Sequence, residues 1–383
     1  MKKKEKDESR KLSAVILAAG LSSRMHEFKP LLRFGEWTML EVVIRLFQSC
    51  GIQDIRVVTG HNHALLEPVV QQAGALSVYN PGFETGMLGS IQKGVAQICP
   101  ENQGFFLLPV DIPAIRPGTL RALAMAFKKN QGSLIIPEFN QMPGHPPLIP
   151  ARLIPQILAM DPSSNLGELL LSQKQHLIRQ PVHDRGILLD ADTQAAFGVL
   201  AERYRRMEIP DREECWSIIA SVLPGEAGLK SHLKMVAKIA LKLFDAVETG
   251  HKDKQKGDPI VCLDKELIQA AALLHDIKRK ETGHARAASV FLTELGFSRV
   301  AGIVAEHMSI EPGESLSEKE IVYFADKICN GGLLAPDYAQ RFADKLKRFP
   351  RAREEILQRY KATQRIQSLI EAAAGKPLHA ILK

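Results

Sequence analysis

Ala14-Val-Ile-Leu-Ala-Ala-Gly-Leu-Ser-Ser-Arg-Met25, followed by Lys29-Pro-Leu-Leu32, is an apolar run that opens into a turn of small residues and ends on an arginine and a lysine. An apolar strand that delivers such a turn at its carboxyl end is the opening unit of an α/β sheet. The absence of bulky side chains at Ala18, Ala19 and Gly20 lets backbone N–H groups approach a triphosphate. Arg24 and Lys29 supply the positive charge that anionic oxygens require. The stretch predicts a nucleotide phosphate site.

Outward from that turn, apolar strand-like runs alternate with amphipathic helical stretches from Leu12 to about Leu200, the pattern of a mostly parallel sheet covered by helices. Expected strands are Ala14–Ala18, Ile55–Thr59, Phe105–Pro109 and Leu134–Pro137, with helices over Thr38–Ser49, Leu88–Gln97 and Thr119–Lys129. In such sheets ligands collect at the carboxyl ends of the strands. The glycine turn and Asp111, which follows Leu107-Leu108-Pro109-Val110, both fall at such ends. Beyond Ala201 strand-like runs become scarce, and helical patterns such as Ser231–Val247, Lys265–His275 and Ala285–Leu295 take over. The expected organisation is a basic tail over 1–11, an α/β domain over 12–203, an all-helical domain over 204–345 and a helical extension over 346–383. Thr249–Asp258, rich in Lys, Asp and Gly, reads as a solvated loop between two helices.

The opening segment resembles the nucleotidyltransferases that activate molybdopterin, within the wider group of sugar-nucleotide and methylerythritol-phosphate cytidylyltransferases. Their signature, LAAGxSxRMGxxKxLL, is matched except at His26, where Gly is usual. The LAAG form is closer to the cytidylyltransferase branch than to the guanylyltransferase branch, which tends toward LAGG. The resemblance implies nucleotide contacts at Leu17, Ala18, Ala19, Gly20, Arg24 and Lys29. It also implies that Asp111 in Leu108-Pro-Val-Asp-Ile-Pro113 holds Mg²⁺ on the α-phosphate, a role suited to a hard oxygen ligand.

Further segments extend the likeness. Asn80-Pro-Gly-Phe-Glu-Thr-Gly-Met-Leu-Gly-Ser90 resembles the family's base- and ribose-contacting segment and offers Gly86 and Ser90, although Leu88 replaces the usual Ser and Gly89 follows it. Gly144-His-Pro-Pro-Leu-Ile149 looks like the turn into a strand bordering the acceptor, with His145 beside the pterin phosphate. Leu189-Asp-Ala-Asp-Thr193 retains Asp190 and Asp192 of an acidic element. One of them, Asp190 as first choice, would be a second metal ligand; a helix N-cap at Asp192 or Thr193 is an equal alternative. The implied reaction has no covalent enzyme intermediate. A terminal phosphate of molybdopterin attacks the α-phosphorus of CTP, and pyrophosphate leaves with its charge spread over Arg24 and Lys29.

A second constellation lies on the apolar helices: His232, His275-Asp276, His284, His307 and Asp326. Ionisable groups spread along apolar helices can converge in a bundle core, where metal coordination offsets their desolvation. The order H…HD…D at His232, His275, Asp276 and Asp326 resembles the HD metal-dependent phosphohydrolases, and His284 and His307 resemble the extra ligands of subgroups with a dinuclear centre. The resemblance implies one or two divalent transition metals. Imidazole with carboxylate ligation suits Fe, Mn, Zn or Co. Lys278 and Arg279 depart from the common HDIGK continuation, and the arginine still suits a phosphate.

At 383 residues, 45% hydrophobic and 24% charged, the chain has the composition of a globular protein of more than one domain. No apolar run approaches the roughly 20 residues that cross a bilayer, and the Lys-rich start lacks the apolar region of a signal peptide. A cytoplasmic protein without membrane partners is expected. Cys50, Cys99, Cys215, Cys262 and Cys329 form no CxxC pair and are expected as reduced core residues. The formal charge of +7 gathers in the tail 1–11 and after Arg341, which reads as a solvated surface or a modest attraction for phosphate-bearing substrates. No aromatic-rich basic motif accompanies it, so nucleic acid is not expected. Expected partners are CTP, molybdopterin or the molybdenum cofactor, and a molybdenum hydroxylase that receives the product. Two alternatives stay open: a sugar or alditol phosphate as acceptor, and an HD domain that regulates without turnover.

Overall fold

Every residue of β1 (Leu12–Ala18) is buried, as expected of a strand flanked on both edges and covered on both faces. The computed structural model describes residues 12–21, 27–130, 132–252, 262–335 and 337–383. The chain divides into two compact units, Met1–Met207 and Glu208–Lys383.

In the first unit β1 pairs in parallel with β2 (Asp54–Thr59) on one side and β4 (Gly104–Pro109) on the other. Beyond β2 runs β3 (Leu76–Tyr79), also parallel. On the other flank β6 (Leu148–Pro150) is antiparallel to both β4 and β5 (Leu134–Phe139), and β7 (Leu177–Pro181) is parallel to β5. The order is β7-β5-β6-β4-β1-β2-β3, with Met142–Pro143 hairpinned onto β5 as an eighth strand. Chain progression reverses direction across the sheet between β1 and β4, which opens a crevice at their carboxyl ends.

Helices α1 (Met39–Ser49), α2 (His63–Gln72), α3 (Met87–Val95), α4 (Pro117–Lys129), α5 (Ile154–Ala159), α6 (Leu166–Ser172) and α7 (Gln194–Arg205) complete the unit. The alternation of β1 side chains sorts the two faces. Ala14 and Ile16 join Leu40, Ile44 and Phe47 of α1 and Leu123 of α4, whereas Val15 and Leu17 join Leu88, Ile91 and Val95 of α3. Thr38 and Glu41 form a capping box that fixes the start of α1. At the start of α4 the buried Asp184 carboxylate accepts from the Arg116 backbone N–H and the Thr119 hydroxyl, each at 2.7 Å, and pairs with Arg116 and Arg203.

Gly94 lets α3 lie directly on the sheet: a Cβ there would sit 2.5 Å from Val15 Cγ1 and 2.8 Å from Val58 Cγ2. In an open helix Gly→Ala gains up to about 1 kcal/mol, but overpacking costs about 1–3 kcal/mol. Gly94→Ala is therefore expected to lower the thermal midpoint. An unchanged or higher midpoint would contradict this close approach.

The second unit is helical: α8 (Arg212–Val222), α9 (Ala227–Lys252), α10 (Lys265–Leu274), α11 (His284–Leu295), α12 (Ser298–Glu306), α13 (Glu318–Lys327), α14 (Tyr338–Arg348), α15 (Arg353–Ala374) and α16 (Leu378–Leu382), with a small hairpin of Cys329–Asn330 and Leu333–Leu334. Leu243 of α9, Leu274 of α10, Val304 of α12 and Phe324 of α13 share one core with Ile366 and Ile370 of α15 and Ile381 of α16. The last helices thus build the same core as the first ones.

Two expectations need correction. Thr249–Lys252 is not loop but the end of α9, and Gly250 there lies against the backbone of Ala373 and Ala374, where a Cβ would meet Ala373 O at 2.5 Å. Residues 253–258 of the expected loop lie outside the described residues, as do the tail 1–11 and Arg24. Of the cysteines, all free, Cys215 and Cys329 are buried but Cys262 is exposed. Among the described residues no helix is long and apolar enough to cross a membrane.

Candidate active sites

The crevice between β1 and β4 holds a cavity of about 320 Å³ lined by Leu17, Ala18, Ala19, Gly20, Lys29, Gly86, Ser90 and Asp111. Each of these was singled out in the sequence, and the fold draws them together from four separate segments. β1 brings the small residues to the rim. Gly86, at φ 128°, is the N-cap of α3 and takes a backbone conformation that L side chains rarely adopt. The positive end of α3 therefore borders the cavity, a placement that favours phosphate. Ser90 is buried and accepts from Asn80 Nδ2 at 3.0 Å, so its hydroxyl is held in place. Sequence reasoning missed Phe83 and Met87, which also line the cavity. Their signal was faint, two apolar residues in a glycine-rich loop.

Lys29 is buried, and its Nζ donates to Asp192 Oδ1 at 2.8 Å and lies 3.6 Å from Asp111 Oδ2. Ala191 N–H donates to Asp111 O, which pins the acidic element beside Asp111. It is Asp192, not Asp190, that faces the lysine. Asp190 is exposed, and its Oδ1 accepts from the Asp192 backbone N–H at 3.2 Å. The N-cap of α7 is Thr193, whose Oγ1 accepts from Ala196 N–H. Burial pushes the Asp111 carboxyl above its ordinary pKa; Lys29 opposes this, and the charges of Asp192 and Asp190 reinforce it. A buried carboxylate facing further carboxylates is a place where a cation is favoured.

Gly144 and His145, expected on the acceptor side, are not among the described residues lining this cavity. Gly144 packs on Ile187, where a Cβ would meet Ile187 O at 2.5 Å. His145 follows with a cis bond to Pro146, and its Nδ1 is buried without a hydrogen-bond partner. Burial holds its imidazole below the ordinary pKa despite the pull of Asp111.

In the helical unit all six predicted ligands converge. His232 comes from α9, His275 and Asp276 from the end of α10, His284 from the start of α11, His307 from the end of α12 and Asp326 from the last turn of α13. They form two triads, His232–His275–Asp326 and Asp276–His284–His307, with ligand atoms within 4.8 Å of one another in each. His232 Nε2 lies 3.2 Å and His275 Nε2 3.6 Å from Asp326 Oδ1. His284 Nε2 and His307 Nε2 lie 3.4 and 3.3 Å from Asp276 Oδ1, while Asp276 Oδ2 faces His232 at 3.9 Å and His275 at 3.7 Å. Asp276 thus joins the two triads.

The donor chemistry fits metal. The Nδ1 atoms of His232, His275 and His307 face the carbonyls of Gly331, Ala272 and Val304 at 3.2, 2.9 and 2.7 Å. Those bonds fix the tautomer and leave each Nε2 as a lone pair, and all three Nε2 atoms are buried without a hydrogen-bond partner. Ligand atoms around an ion at about 2.1 Å sit roughly 3.0–3.4 Å apart, close to the separations above. Burial tends to raise the Asp276 carboxyl, but the closeness of His307, His275 and Arg279 outweighs it and holds it well below the carboxylate range. Asp326 is held low in the same way, against burial, by Lys327, His232 and His275.

These sites can be set beside known proteins. The model of the MobA-like NTP transferase domain matches residues 14–178, and that of the HD domain matches residues 229–331. The molybdenum cofactor cytidylyltransferase of Escherichia coli (strain K12) is 30% identical over 195 residues, which cover 50% of this chain and 97% of that protein. The bifunctional protein GlmU of Staphylococcus carnosus (strain TM300) is 32% identical over 128 residues, 32% of this chain and 27% of that protein. A solved nucleotidyl transferase from Methanothermobacter thermautotroptrophicus has a TM-score of 0.46 at 22% identity, covering 51% of this chain and 98% of that one. Because the E. coli relative is 30% identical and covered almost end to end, the chain belongs to the MobA-like NTP transferases, and it carries an HD domain behind the transferase domain.

Proposed function

We propose that the first unit moves CMP from CTP to molybdopterin or the molybdenum cofactor with release of pyrophosphate, and that the HD unit hydrolyses a phosphate ester. The observation that carries the first part is the meeting of Leu17–Gly20, Lys29, Ser90 and Asp111 on one cavity at the sheet's switch point. The E. coli relative's name and the LAAG turn support cytidine and the pterin acceptor.

In this reading the backbone after β1 and the N-terminus of α3 hold the triphosphate, and Lys29 neutralises the departing pyrophosphate. An oxygen of the acceptor's terminal phosphate attacks the α-phosphorus, and the bond to the β-phosphate oxygen breaks. Asp111 and Asp192 would hold Mg²⁺, which when bound supplies charge neutralisation on the phosphate oxygens. Asp190 orients Asp192 through its backbone N–H. His145, half-buried and held below its ordinary pKa by burial, would stand on the acceptor side, where Asp111 acts on it. Catalysis is positioning and electrostatics, without a covalent enzyme intermediate.

With equal CTP and GTP, Mg²⁺ and the molybdenum cofactor, pyrophosphate release from CTP is expected to exceed that from GTP by at least about tenfold. Equal or faster release from GTP would overturn the base assignment. In the HD unit the complete ligand set favours turnover over purely regulatory binding. One or two divalent ions of Fe, Mn, Zn or Co fit these donors, and such ions when bound polarise a phosphate ester for hydrolysis.

A further inference from the structure

We propose that the HD cavity takes an organic phosphate bearing a second phosphate-like anion, and that Arg341, Lys345 and Arg359 of the C-terminal helices hold that second group. This rests on the reading of the HD unit as a phosphohydrolase and goes beyond it in naming the substrate class.

The cavity measures about 570 Å³ and is lined on one side by His232, Asp276, His284, His307 and Asp326. Across from them Arg341 and Lys345 of α14 and Arg359 of α15 line it as well. These helices lie beyond residue 331, where the match to the HD domain ends.

The cations of the cavity fall into two groups. Those nearest the metal ligands are already paired: Arg279 with Asp276 at 2.6 Å, Lys327 with Asp326 at 2.6 Å, Lys280 with Glu226. Those of the C-terminal wall are poorly compensated. Arg341 spends its Nη1 on the carbonyls of Lys327 and Cys329 at 2.7 and 2.8 Å, which fixes the guanidinium without neutralising it. Among the described residues no carboxylate pairs with Arg341 or Lys345. Arg359 pairs with the half-exposed Glu355, yet its Nε is buried without a hydrogen-bond partner. Burial, and then the charges of Lys327 and Arg341, draw the Lys345 ammonium below its ordinary pKa against the pull of Asp326. Gathering like charges in a half-buried space is costly unless an anion joins them.

A phosphate at the two triads would be served by metal held there, and would leave the C-terminal wall unused. A second anion on the same molecule would meet it. Leu229, Met308, Phe342 and Ile356 line the same space and offer apolar surface to an organic body. The volume falls within the roughly 300–1,000 Å³ typical of small-molecule sites, more than inorganic diphosphate alone would fill.

The test uses the full chain loaded with Mn²⁺ and calorimetric binding of methylphosphonate, methylenediphosphonate and propylenediphosphonate. At least one diphosphonate is expected to bind about tenfold or more tightly than methylphosphonate, a difference of about 1.4 kcal/mol. Lys345→Met and Arg359→Met should each remove most of that advantage while leaving methylphosphonate affinity and Mn²⁺ content unchanged. Binding elsewhere on the chain is common to all variants and cancels. No advantage for either diphosphonate, or an advantage that survives both substitutions, would overturn the proposal. Turnover of p-nitrophenyl phosphate by the same Mn²⁺-loaded protein reads the hydrolase assignment separately, because the affinity difference is measured without chemistry.

Discussion

Asp111→Asn is expected to lower nucleotidyl transfer by about 10²- to 10³-fold, the usual scale for removing a group that stabilises charge on reacting oxygens. The fold should tolerate the change. Burial and the nearby carboxylates Asp192 and Asp190 place the Asp111 pKa above its ordinary value, so its environment disfavours the charge. The sign follows: a carboxyl whose pKa is raised on folding binds more protons folded than unfolded, so its ionisation subtracts stability as pH rises. Without Mg²⁺ at neutral pH, Asp111→Asn should therefore keep or raise the thermal midpoint while transfer collapses. Transfer near the wild-type rate, or a fall in activity that tracks unfolding, would remove Asp111 from the site. The same shift sets a pH expectation for the wild type. At subsaturating Mg²⁺, where a proton competes with the ion for the free carboxyl, the acid limb of transfer should lie above the ordinary aspartate pKa of about 3.9, and an acid limb at or below that value would contradict it.

Replacing His275 and Asp276 together with Ala should empty the HD centre. The double change removes a ligand from each triad, including the carboxylate that faces both. Metal content after purification is expected to drop below about a tenth of wild type, along with any phosphohydrolase activity, since loss of a buried ligand leaves its partners unable to complete the coordination. A ligand present at about 100 times its Kd stabilises by about 2.7 kcal/mol. Added Mn²⁺ should accordingly raise the thermal midpoint of the wild type and not that of the double variant. CMP transfer at saturating CTP and Mg²⁺ should persist. Full metal occupancy in the double variant would contradict the HD ligand assignment.

Much of this was legible because the signals are local. β1 announces itself by continuous burial of a single apolar run, and the cap and apolar face of α1 lie within one segment. The six HD ligands could be picked out because histidines and aspartates on apolar helices need a reason to be there. Pairings across long separations were not legible. Lys29 and Asp192 are 163 residues apart, and nothing in either segment states that Asp192 rather than Asp190 turns toward the lysine. That choice depends on Ala191 pairing with the Asp111 backbone and on Thr193, not an aspartate, capping α7. Gly144 has a packing reason that its motif does not state: its missing side chain lies against Ile187. The charges after Arg341 read as a solvated face or a modest attraction for phosphate-bearing substrates. Burial of Tyr338 and Phe342 against the core turns Arg341 and Lys345 onto the HD cavity. Amphipathic spacing alone does not tell which polar residues at the edge of an apolar stripe meet a cavity and which meet water.

The most direct measurement of the central claim mixes the full chain with CTP labelled at the α-phosphate, Mg²⁺ and the molybdenum cofactor, then quantifies labelled cofactor and pyrophosphate together. The predicted result is equal amounts of the two, both lost in Asp111→Asn. Label remaining in CTP, or pyrophosphate released with a sugar phosphate but not with the molybdenum cofactor, would contradict it.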